Sequence, residues 1–235
     1  MNFGGILAGG IGSRMSNGGL PKQLMNVGGV PVLVRTIRAF LACKRIDFVF
    51  VAMNAVWRDY AEKLIDEHRI DRNRVSLVDG GETRFDSLIN LSKACQGKSL
   101  SDSVLLNHDC ARPFVSQRIL DDCLTMVDDY DMVTTSIPTI DTVLVSKDGK
   151  RSDCVPERST IFLDQGPQAF RVNQFLALVD SLTIEERGRY MEAGRLYLDK
   201  GLSVGIVTGE RTNFKLTTPF DVVLAEAMIK EGQIR

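Results

Sequence analysis

The residues best suited to chemistry lie near the start of the chain. An apolar run, Phe3–Leu7, leads into the glycine-rich segment Ala8-Gly9-Gly10-Ile11-Gly12-Ser13-Arg14, and Pro21-Lys22-Gln23 follows after a short polar stretch. Because glycine has no Cβ, the backbone N–H groups of such a turn can approach a phosphate chain closely. Arg14 and Lys22 add positive charge beside the turn. The pattern favours a nucleoside triphosphate and a reaction that builds negative charge on phosphate oxygens.

Two better-known glycine-rich motifs fit this turn poorly. A dinucleotide-binding turn has the spacing Gly-x-Gly-x-x-Gly, but Met15 stands at the third glycine position. A P-loop closes on Gly-Lys-Ser or Gly-Lys-Thr, and neither closes this turn. A purely structural turn, with Arg14 and Lys22 solvated, stays open as an alternative.

The composition favours a globular protein that acts on small molecules. With 235 residues, 44% hydrophobic and 25% charged, the chain is long enough for one sizeable α/β core. Its net charge of -1 provides no basic field for nucleic acid or for an anionic membrane. No apolar run reaches the roughly 20 residues that a membrane span requires, and no secretory signal pattern is present. We therefore expect no nucleic-acid or membrane partner.

The cysteines and histidines argue against a disulfide framework and against a zinc site. The five cysteines are odd in number and widely spaced, without a Cys-x-x-Cys pair. His68 and His108 are the two histidines of the chain. This usage predicts a reducing, cytoplasmic location.

The elements that must position these residues alternate between strands and helices. Strands are predicted at Phe3–Leu7, Asp47–Met53, Val75–Val78, Ser103–Asn107, Met132–Ser136 and Leu202–Val207, and helices at Pro31–Leu41, Val56–Glu67, Phe85–Ala94, Gln117–Val127, Val172–Leu182, Ile184–Leu198 and from Thr218 through Ile229. The alternation predicts an α/β fold with a mainly parallel sheet and helices on both faces. Ligands bind outside the carboxyl ends of such strands. We therefore expect the loops 8–23, 80–86 and 108–114 to meet at one edge.

The alternation breaks between Pro138 and Gln168. The segment Ile140–Gly149 has the pattern of a strand entering an Asp-Gly turn, and the chain returns through Ser159–Leu163. A hairpin of this size has too little core to be stable alone, so we expect it to pack on a second copy of the chain. A flap folded back on its own domain is the alternative. The sequence thus predicts one domain, residues 1–235, with 138–168 as an inserted β-arm.

Six segments, taken in order, resemble the polyol-phosphate cytidylyltransferases. They are Leu7-Ala8-Gly9-Gly10-x-Gly12-x-Arg14-Met15, Pro21-Lys22-Gln23, Gly80-Gly81-x-x-Arg84-x-x-Ser87, His108-Asp109-x-Ala111-Arg112-Pro113-Phe114, Pro167-Gln168-x-Phe170 and Thr212-Asn213-Phe214-Lys215-Leu216-Thr217-Thr218-Pro219. This family includes methylerythritol-phosphate cytidylyltransferase and the ribitol-5-phosphate enzymes of teichoic-acid and capsule synthesis. The resemblance runs nearly end to end. It implies a Rossmann-like nucleotidyltransferase domain that forms a homodimer through the arm.

The resemblance implies transfer of CMP from CTP to a polyol phosphate, with Mg²⁺ or another divalent cation and release of pyrophosphate. A phosphate monoester is largely ionised at neutral pH, since its second pKa is about 6. Its oxygen can therefore attack the α-phosphorus without a dedicated general base. Catalysis would consist of alignment and of cationic stabilisation of the transition state.

The resemblance also implies a role for each matching residue. The implied catalytic residues are Arg14, Lys22, Lys215 and Asp109, with Asp109 also facing the metal; the implied nucleotide-binding residues are Leu7, Ala8, Gly9, Gly10, Gly12, Gly81, Glu82 and Ser87; and the implied acceptor-binding residues are Arg112, Asp141, Thr142 and Arg158. Arg158 would come from the arm of the second copy, which would make the dimer catalytic. Each role has a structural alternative: Asp109 could cap a helix, Arg84 could be solvated or could brace Asp109, and His108 fits a loop histidine with its hydrogen bonds satisfied.

Two sequence features favour ribitol 5-phosphate, giving CDP-ribitol, over methylerythritol 4-phosphate as the acceptor. Leu7-Ala8-Gly9-Gly10 and Asn213–Thr218 resemble the ribitol branch more closely than the Pro-Ala-Ala-Gly start typical of methylerythritol enzymes. Methylerythritol 4-phosphate stays as the alternative acceptor. Gly166, where the family usually has threonine, and Met191-Glu192 bear on the acceptor as well. A nicotinamide-dependent oxidoreductase and a non-catalytic nucleotide-binding module stay open as other classes.

Overall fold

A computed structural model describes residues 1–10, 19–99 and 101–234. The strands are β1 (Asn2–Leu7), β2 (Asn26–Val27), β3 (Val30–Pro31), β4 (Phe48–Met53), β5 (Val75–Asp79), β6 (Val104–Asp109), β7 (Met132–Pro138), β8 (Phe162–Arg171) and β9 (Val204–Thr208). The helices are α1 (Val32–Ala42), α2 (Arg58–Glu67), α3 (Arg84–Lys98), α4 (Gln117–Met126), α5 (Val172–Asp180), α6 (Ile184–Arg187), α7 (Ala193–Asp199) and α8 (Pro219–Lys230), with 3-10 turns at Lys22–Leu24, Ala55–Trp57 and Arg158–Thr160. These bounds confirm most of the predicted elements.

Seven strands form one mixed sheet in the order β5-β4-β1-β6-β8-β7-β9, and β2 and β3 form a separate small hairpin. Strand β1 runs parallel to β4 on one side and to β6 on the other, with Leu7 level with both Ala52 and Asp109. Strand β8 runs antiparallel to its neighbours β6 and β7. The mainly parallel α/β fold is therefore confirmed, and the carboxyl ends of three central strands meet at one edge.

Helices cover both faces of this sheet. One apolar cluster joins the sheet to α1, α2, α4 and α8, and the other joins it to α3, α5 and α7. All six residues of β4 are buried, as a strand that is covered on both faces requires. Helix α8 begins where the sequence predicted, because Pro219 holds its first position and Asp221 accepts a hydrogen bond from the Thr218 N–H at 2.7 Å.

The predicted helix Ile184–Leu198 is wrong in extent, because two short helices, α6 and α7, occupy this stretch. Helix α6 ends at Arg187, and Gly188 caps it. Helix α7 begins after Glu192, whose carboxylate accepts from the N–H groups of Gly194 at 2.6 Å and Arg195 at 2.9 Å. The apolar residues on either side of Glu192 keep a helical spacing whether Glu192 caps a helix or lies inside one. The spacing therefore does not reveal the interruption between α6 and α7.

The arm differs from the predicted hairpin. Strands β7 and β8 stay paired as far as Pro138 and Phe162, but Ile140–Gly149 is not a strand and contains one isolated bridge, between Val145 and Cys154. The Asp-Gly turn is present, with Gly149 at φ +70°. The arm exposes several large apolar side chains: Ile140, Leu144, Val145, Val155, Phe162 and Leu163. An isolated two-stranded hairpin is marginally stable without a sheet or helix packed on it. This explains why the predicted strand at Ile140–Gly149 does not form.

The described residues contain no helix that is both long enough and apolar enough to cross a membrane. All five cysteines are unpaired, and four of them are buried.

Candidate active site

A cleft of about 490 Å³ lies at the carboxyl ends of β1, β4 and β6, beside the start of α3. Its walls carry Leu7, Ala8, Gly9, Gly10, Lys22, Gln23, Asn54, Gly81, Glu82, Thr83, Arg84, Ser87, Asp109, Cys110, Ala111, Lys215 and Thr217. All the predicted nucleotide-binding residues that the structure describes are in this set, as are Lys22, Lys215 and Asp109. Gly12 and Arg14 lie outside the described residues.

The segment after β1 is fixed by hydrogen bonds to both neighbouring strands. The Ala8 N–H donates to the Ala52 carbonyl at 2.9 Å, and the Cys110 N–H donates to the Leu7 carbonyl at 3.0 Å. Lys22 opens the 3-10 turn that follows and lines the same cleft. Ala8, Gly9 and Gly10 of the predicted phosphate loop therefore line the same cleft as Lys22.

A tight turn before α3 also lines the cleft and requires glycine at position 81. The Gly81 N–H donates to Ser87 Oγ at 3.0 Å, and that hydroxyl donates to the Thr83 carbonyl at 3.0 Å. A Cβ on Gly81 would lie 2.2 Å from the Asp86 Cβ. The Ser87 hydroxyl thus shapes the turn that presents Gly81 and Glu82 to the cleft.

Asp109, at the end of β6, is held by two cations. Its Oδ2 accepts from Lys215 Nζ at 2.6 Å, and its Oδ1 accepts from Arg84 Nη2 at 3.1 Å and Nε at 3.2 Å. Burial alone would raise the pKa of this carboxyl, but the charges of Arg84 and Lys215 outweigh burial and hold the pKa well below its usual range. Asp109 is therefore ionised, and Arg84 braces it, which settles the alternative that the sequence left open.

Lys215 is brought to Asp109 by a braced loop after β9. The Leu216 N–H donates to the Ala111 carbonyl at 2.8 Å, and Arg112 Nη1 donates to the Asn213 carbonyl at 2.9 Å. Arg112 Nη2 also lies 3.4 Å from the Asp164 carbonyl. The guanidinium of Arg112, a predicted acceptor-binding residue, thus ties two segments of backbone together.

A second cavity, of about 200 Å³, adjoins the cleft and shares Arg84, Asp109 and Lys215 with it. Its remaining walls carry Asn107, His108, Arg112, Asp164, Gln165, Gly166, Gln168, Met191 and Glu192. Asp109 and its two cations therefore line both the larger and the smaller cavity. This arrangement suits two substrates that must meet at one point.

His108 is a buried structural histidine. Burial lowers the pKa of its imidazole to about 4, so the ring is neutral at pH 7. Its Nε2 lies 2.9 Å from the Arg112 carbonyl, which can only accept, so Nε2 carries the proton. A ring in this state supports the loop and does not serve as a base.

The arm residues with predicted acceptor roles lie apart from both cavities. Asp141, Thr142 and Arg158 are exposed, and Arg158 Nη1 donates to the Ile140 carbonyl within the arm at 3.2 Å. Within one copy of the chain the structure does not bring them to the cleft.

The structure adds site residues to which the sequence analysis gave no role. Asn54 and Thr217 line the cleft, and the Gln23 amide donates hydrogen bonds to the main-chain carbonyls of Ala8 and Gly10, which also line it. Gln23 stands within the quoted motif Pro21-Lys22-Gln23, which was the available signal. Asn54 follows β4 at the predicted binding edge, so its position on the sheet could have indicated it.

The donor set fits a magnesium ion that substrate phosphates share. Within the described ranges, no three histidine, cysteine or acidic side chains converge to hold a metal by themselves. Magnesium sites of this kind use one or two carboxylates together with phosphate oxygens. Asp109 supplies one ionised carboxylate where the two cavities meet.

Comparison with known proteins decides the family. A sequence model of the IspD family, described as 2-C-methyl-D-erythritol 4-phosphate cytidylyltransferase, matches residues 5–231. The chain belongs to the IspD family. It is thus a CTP-dependent cytidylyltransferase, a class of nucleotidyltransferase, as the sequence predicted. Membership in this enzyme family sets aside the oxidoreductase and the non-catalytic module.

Solved structures of similar proteins agree with this family in fold. The 2-C-methyl-D-erythritol 4-phosphate cytidylyltransferase of Thermus thermophilus is 27% identical, with 98% of this chain and 100% of that chain covered and a TM-score of 0.73. The 4-diphosphocytidyl-2C-methyl-D-erythritol synthase of Anaerococcus prevotii is 24% identical over 97% of this chain and 96% of that chain, with a TM-score of 0.80. The IspD protein of Francisella tularensis is 24% identical over 96% and 98% of the two chains, with a TM-score of 0.78.

Proposed function

We propose that this IspD-family chain transfers CMP from CTP to the phosphate of a polyol phosphate at the junction of its two cavities. The observation that carries the proposal is the Arg84–Asp109–Lys215 cluster, which lines both cavities at once. CTP would occupy the larger cleft, with its triphosphate over Ala8–Gly10 and its base beside the Gly81 turn. The polyol phosphate would enter from the smaller cavity.

In the reaction a phosphate oxygen of the acceptor attacks the α-phosphorus of CTP. The new O–P bond forms as the bond from the α-phosphorus to the bridging oxygen breaks, and that electron pair leaves with pyrophosphate. Lys22 and Lys215 would stabilise the charge that develops on the equatorial oxygens. No proton has to be removed, because the attacking phosphate is already ionised near pH 7. The neutral, buried His108 is consistent with chemistry that needs no base.

Asp109 would have two tasks in this reaction. It holds the Lys215 ammonium at 2.6 Å, close to the point of transfer. It also offers oxygen to a magnesium ion, which when bound would neutralise charge on the triphosphate. Because the Asp109 carboxyl has a lowered pKa, it stays charged for both tasks at any pH near neutrality.

The sequence pattern favoured ribitol 5-phosphate as the acceptor. The comparisons instead favour 2-C-methyl-D-erythritol 4-phosphate. The matching family model and the Thermus thermophilus protein at 27% identity both carry the methylerythritol name. We therefore propose methylerythritol 4-phosphate as the first candidate. Ribitol 5-phosphate is the second candidate, because Leu7-Ala8-Gly9-Gly10 and Asn213–Thr218 resemble that branch.

We also propose that two copies of the chain complete the site through the 138–168 arm, in a cytoplasmic homodimer. The exposed apolar side chains of the arm, including Leu144 at 62% and Phe162 at 46% exposure, would be covered by the second copy. In such a dimer Asp141, Thr142 and Arg158 would reach the acceptor cavity of the other copy.

Pyrophosphate release tests the proposal directly. The purified protein would be incubated with CTP, Mg²⁺ and either acceptor, with ATP, GTP and UTP as controls and the Lys215→Ala variant as a blank. A higher kcat/KM for methylerythritol 4-phosphate supports the first candidate, whereas a higher value for ribitol 5-phosphate replaces it with the second. Turnover of neither acceptor contradicts both proposed substrates.

A further inference from the structure

Gln23 is a buried residue to which the proposed reaction gives no task. Its side chain is 3% exposed and lines the larger cleft, next to Lys22. Its Nε2 donates to two main-chain carbonyls, Ala8 at 2.9 Å and Gly10 at 2.5 Å. An amide nitrogen carries two hydrogens, so each carbonyl receives one. One side chain therefore bridges both ends of the segment that follows β1.

These two bonds orient the peptide units of that segment. In a planar trans peptide unit the C=O and the N–H point in opposite directions. When the Ala8 carbonyl faces Gln23, the Gly9 N–H therefore faces away from it. Anions bind to backbone N–H groups and are repelled by carbonyl oxygens. Holding both carbonyls on the Gln23 amide keeps them from a bound phosphate.

Gln23 also links this backbone to the lysine beside it. It is the middle residue of the 3-10 turn Lys22–Leu24, in which the Leu24 N–H donates to the Pro21 carbonyl at 2.9 Å. Leu24 is 2% exposed and anchors the turn in the core. Because Lys22 and Gln23 share a peptide bond, the position of the lysine backbone depends on the same two hydrogen bonds.

We propose that Gln23 is a positioning residue for CTP. It fixes the Ala8–Gly10 backbone relative to Lys22, so that the N–H groups and the ammonium meet the triphosphate together. The inference rests on the proposed nucleotide site and does not depend on which polyol phosphate is the acceptor. Loss of the two bonds should therefore weaken CTP binding and leave acceptor binding unchanged.

Two variants of Gln23 and one matched control test this task. Gln23→Met keeps the length of the side chain and removes the donor. Gln23→Glu keeps the shape, but its carboxylate cannot donate and repels both carbonyls. Gln174→Met is the control, because the Gln174 amide also makes a hydrogen bond, to Asp131 Oδ1 at 2.9 Å, on helix α5 away from the cleft.

The first measurement is the Kd for CTP with Mg²⁺ by calorimetry, without an acceptor. Loss of two hydrogen bonds predicts a Kd roughly 30-fold higher for Gln23→Met, and a larger increase for Gln23→Glu. Gln174→Met should bind CTP as the wild type does. The KM for the acceptor should stay within about 3-fold of wild type in every variant. A CTP Kd within about 2-fold of wild type in both Gln23 variants would overturn the proposal.

The pH dependence of Gln23→Glu gives a second, independent result. A protonated glutamate regains one donor, so the ratio of wild-type to variant CTP affinity should fall as the pH is lowered. A ratio that is constant with pH overturns the proposal, even if Gln23→Met proves too unstable to measure. Wild-type protein that does not bind CTP would instead overturn the proposed nucleotide site, and the task of Gln23 with it.

Discussion

Replacing Arg84 by methionine should slow cytidylyl transfer without removing any group that the proposed mechanism places on the triphosphate. Arg84 donates twice to Asp109 Oδ1, at 3.1 Å and 3.2 Å, and once to the Met191 carbonyl, at 3.0 Å. Methionine has a similar length but no charge and no donor. In the variant Lys215 still contacts Asp109, but the carboxylate is held from one side only. The pair should then shift relative to the α-phosphorus.

The structure sets the size of this effect. The Arg84 side chain is 30% exposed and that of Asp109 is 18% exposed, so their ion pair lies between a surface pair and a buried one. A surface pair contributes up to about 1 kcal/mol, and hydrogen bonds to charged groups contribute about 1.5–3 kcal/mol each. A loss of about 2 kcal/mol is therefore expected. At 1.36 kcal/mol for each tenfold change, it corresponds to a roughly 30-fold fall in kcat/KM.

The assay is steady-state pyrophosphate release by Arg84→Met, with the acceptor and CTP varied separately. Arg118→Met is the matched control, because Arg118 also binds a carboxylate, that of Glu210 at 2.9 Å, but does not line the cleft. We expect the control to keep wild-type kcat/KM and the Arg84 variant to remain folded at the assay temperature, with its Tm lowered by about 4–8 °C. Turnover by Arg84→Met within about 3-fold of wild type would refute the positioning of Asp109 by Arg84.

Three further predictions concern the turn, the buried histidine and the arm. Gly81→Ala places a Cβ against the start of α3, so the turn should move to relieve the clash. If CTP requires the original turn, restoring it costs about 2 kcal/mol of overpacking and raises the KM for CTP roughly 30-fold; an unchanged KM would show that the turn does not contact the nucleotide. In the folded protein the pKa of His108 is lowered to about 4, whereas in the unfolded chain this histidine has its ordinary pKa of about 6.5. Between these two values the unfolded chain binds more protons than the folded protein, so the free energy of unfolding should fall by about 2 kcal/mol from pH 7 to pH 5. Urea titration should show a smaller fall for His108→Gln than for His68→Gln, and equal falls would contradict this origin. Mixing inactive Arg158→Ala with inactive Lys22→Ala should restore part of the activity if sites form across a dimer, and mixtures that stay inactive would reject the trans role of the arm.

Local signals predicted most elements of the fold. Strand β4 was recognisable because its six residues form an apolar run, and α8 because Thr218 caps it and Pro219 holds its first position. These signals succeed because strand burial and helix capping depend on neighbouring residues. The break between α6 and α7 was missed because Glu192 acts as a cap, supported by a hydrogen bond from Gln168 on a distant strand.

The candidate site was predicted in its parts but not in its connections. Residue type and spacing indicated Lys22, and the resemblance to the cytidylyltransferases indicated Gly81, Asp109 and Lys215; all four line the cleft. Apart from the motif Pro21-Lys22-Gln23, no pattern in the sequence indicated the two hydrogen bonds of Gln23. Its partners are the main-chain carbonyls of Ala8 and Gly10, and every residue of a chain carries the same carbonyl group.

By itself the sequence determined which groups can perform phosphoryl chemistry, that they follow the strands of a parallel sheet, and that the chain resembles cytidylyltransferases. Those properties depend on residue type, period and local spacing. Only the tertiary structure decided that Asp109 lies between Arg84 and Lys215, which are 25 and 106 positions away in the chain. Arg84 begins the helix after β5, Asp109 ends β6, and Lys215 lies in the loop after β9 that is tied to the Ala111 carbonyl. The order of the strands in the sheet and this loop contact bring the three residues together, and a contact across such distances leaves no local pattern in the sequence.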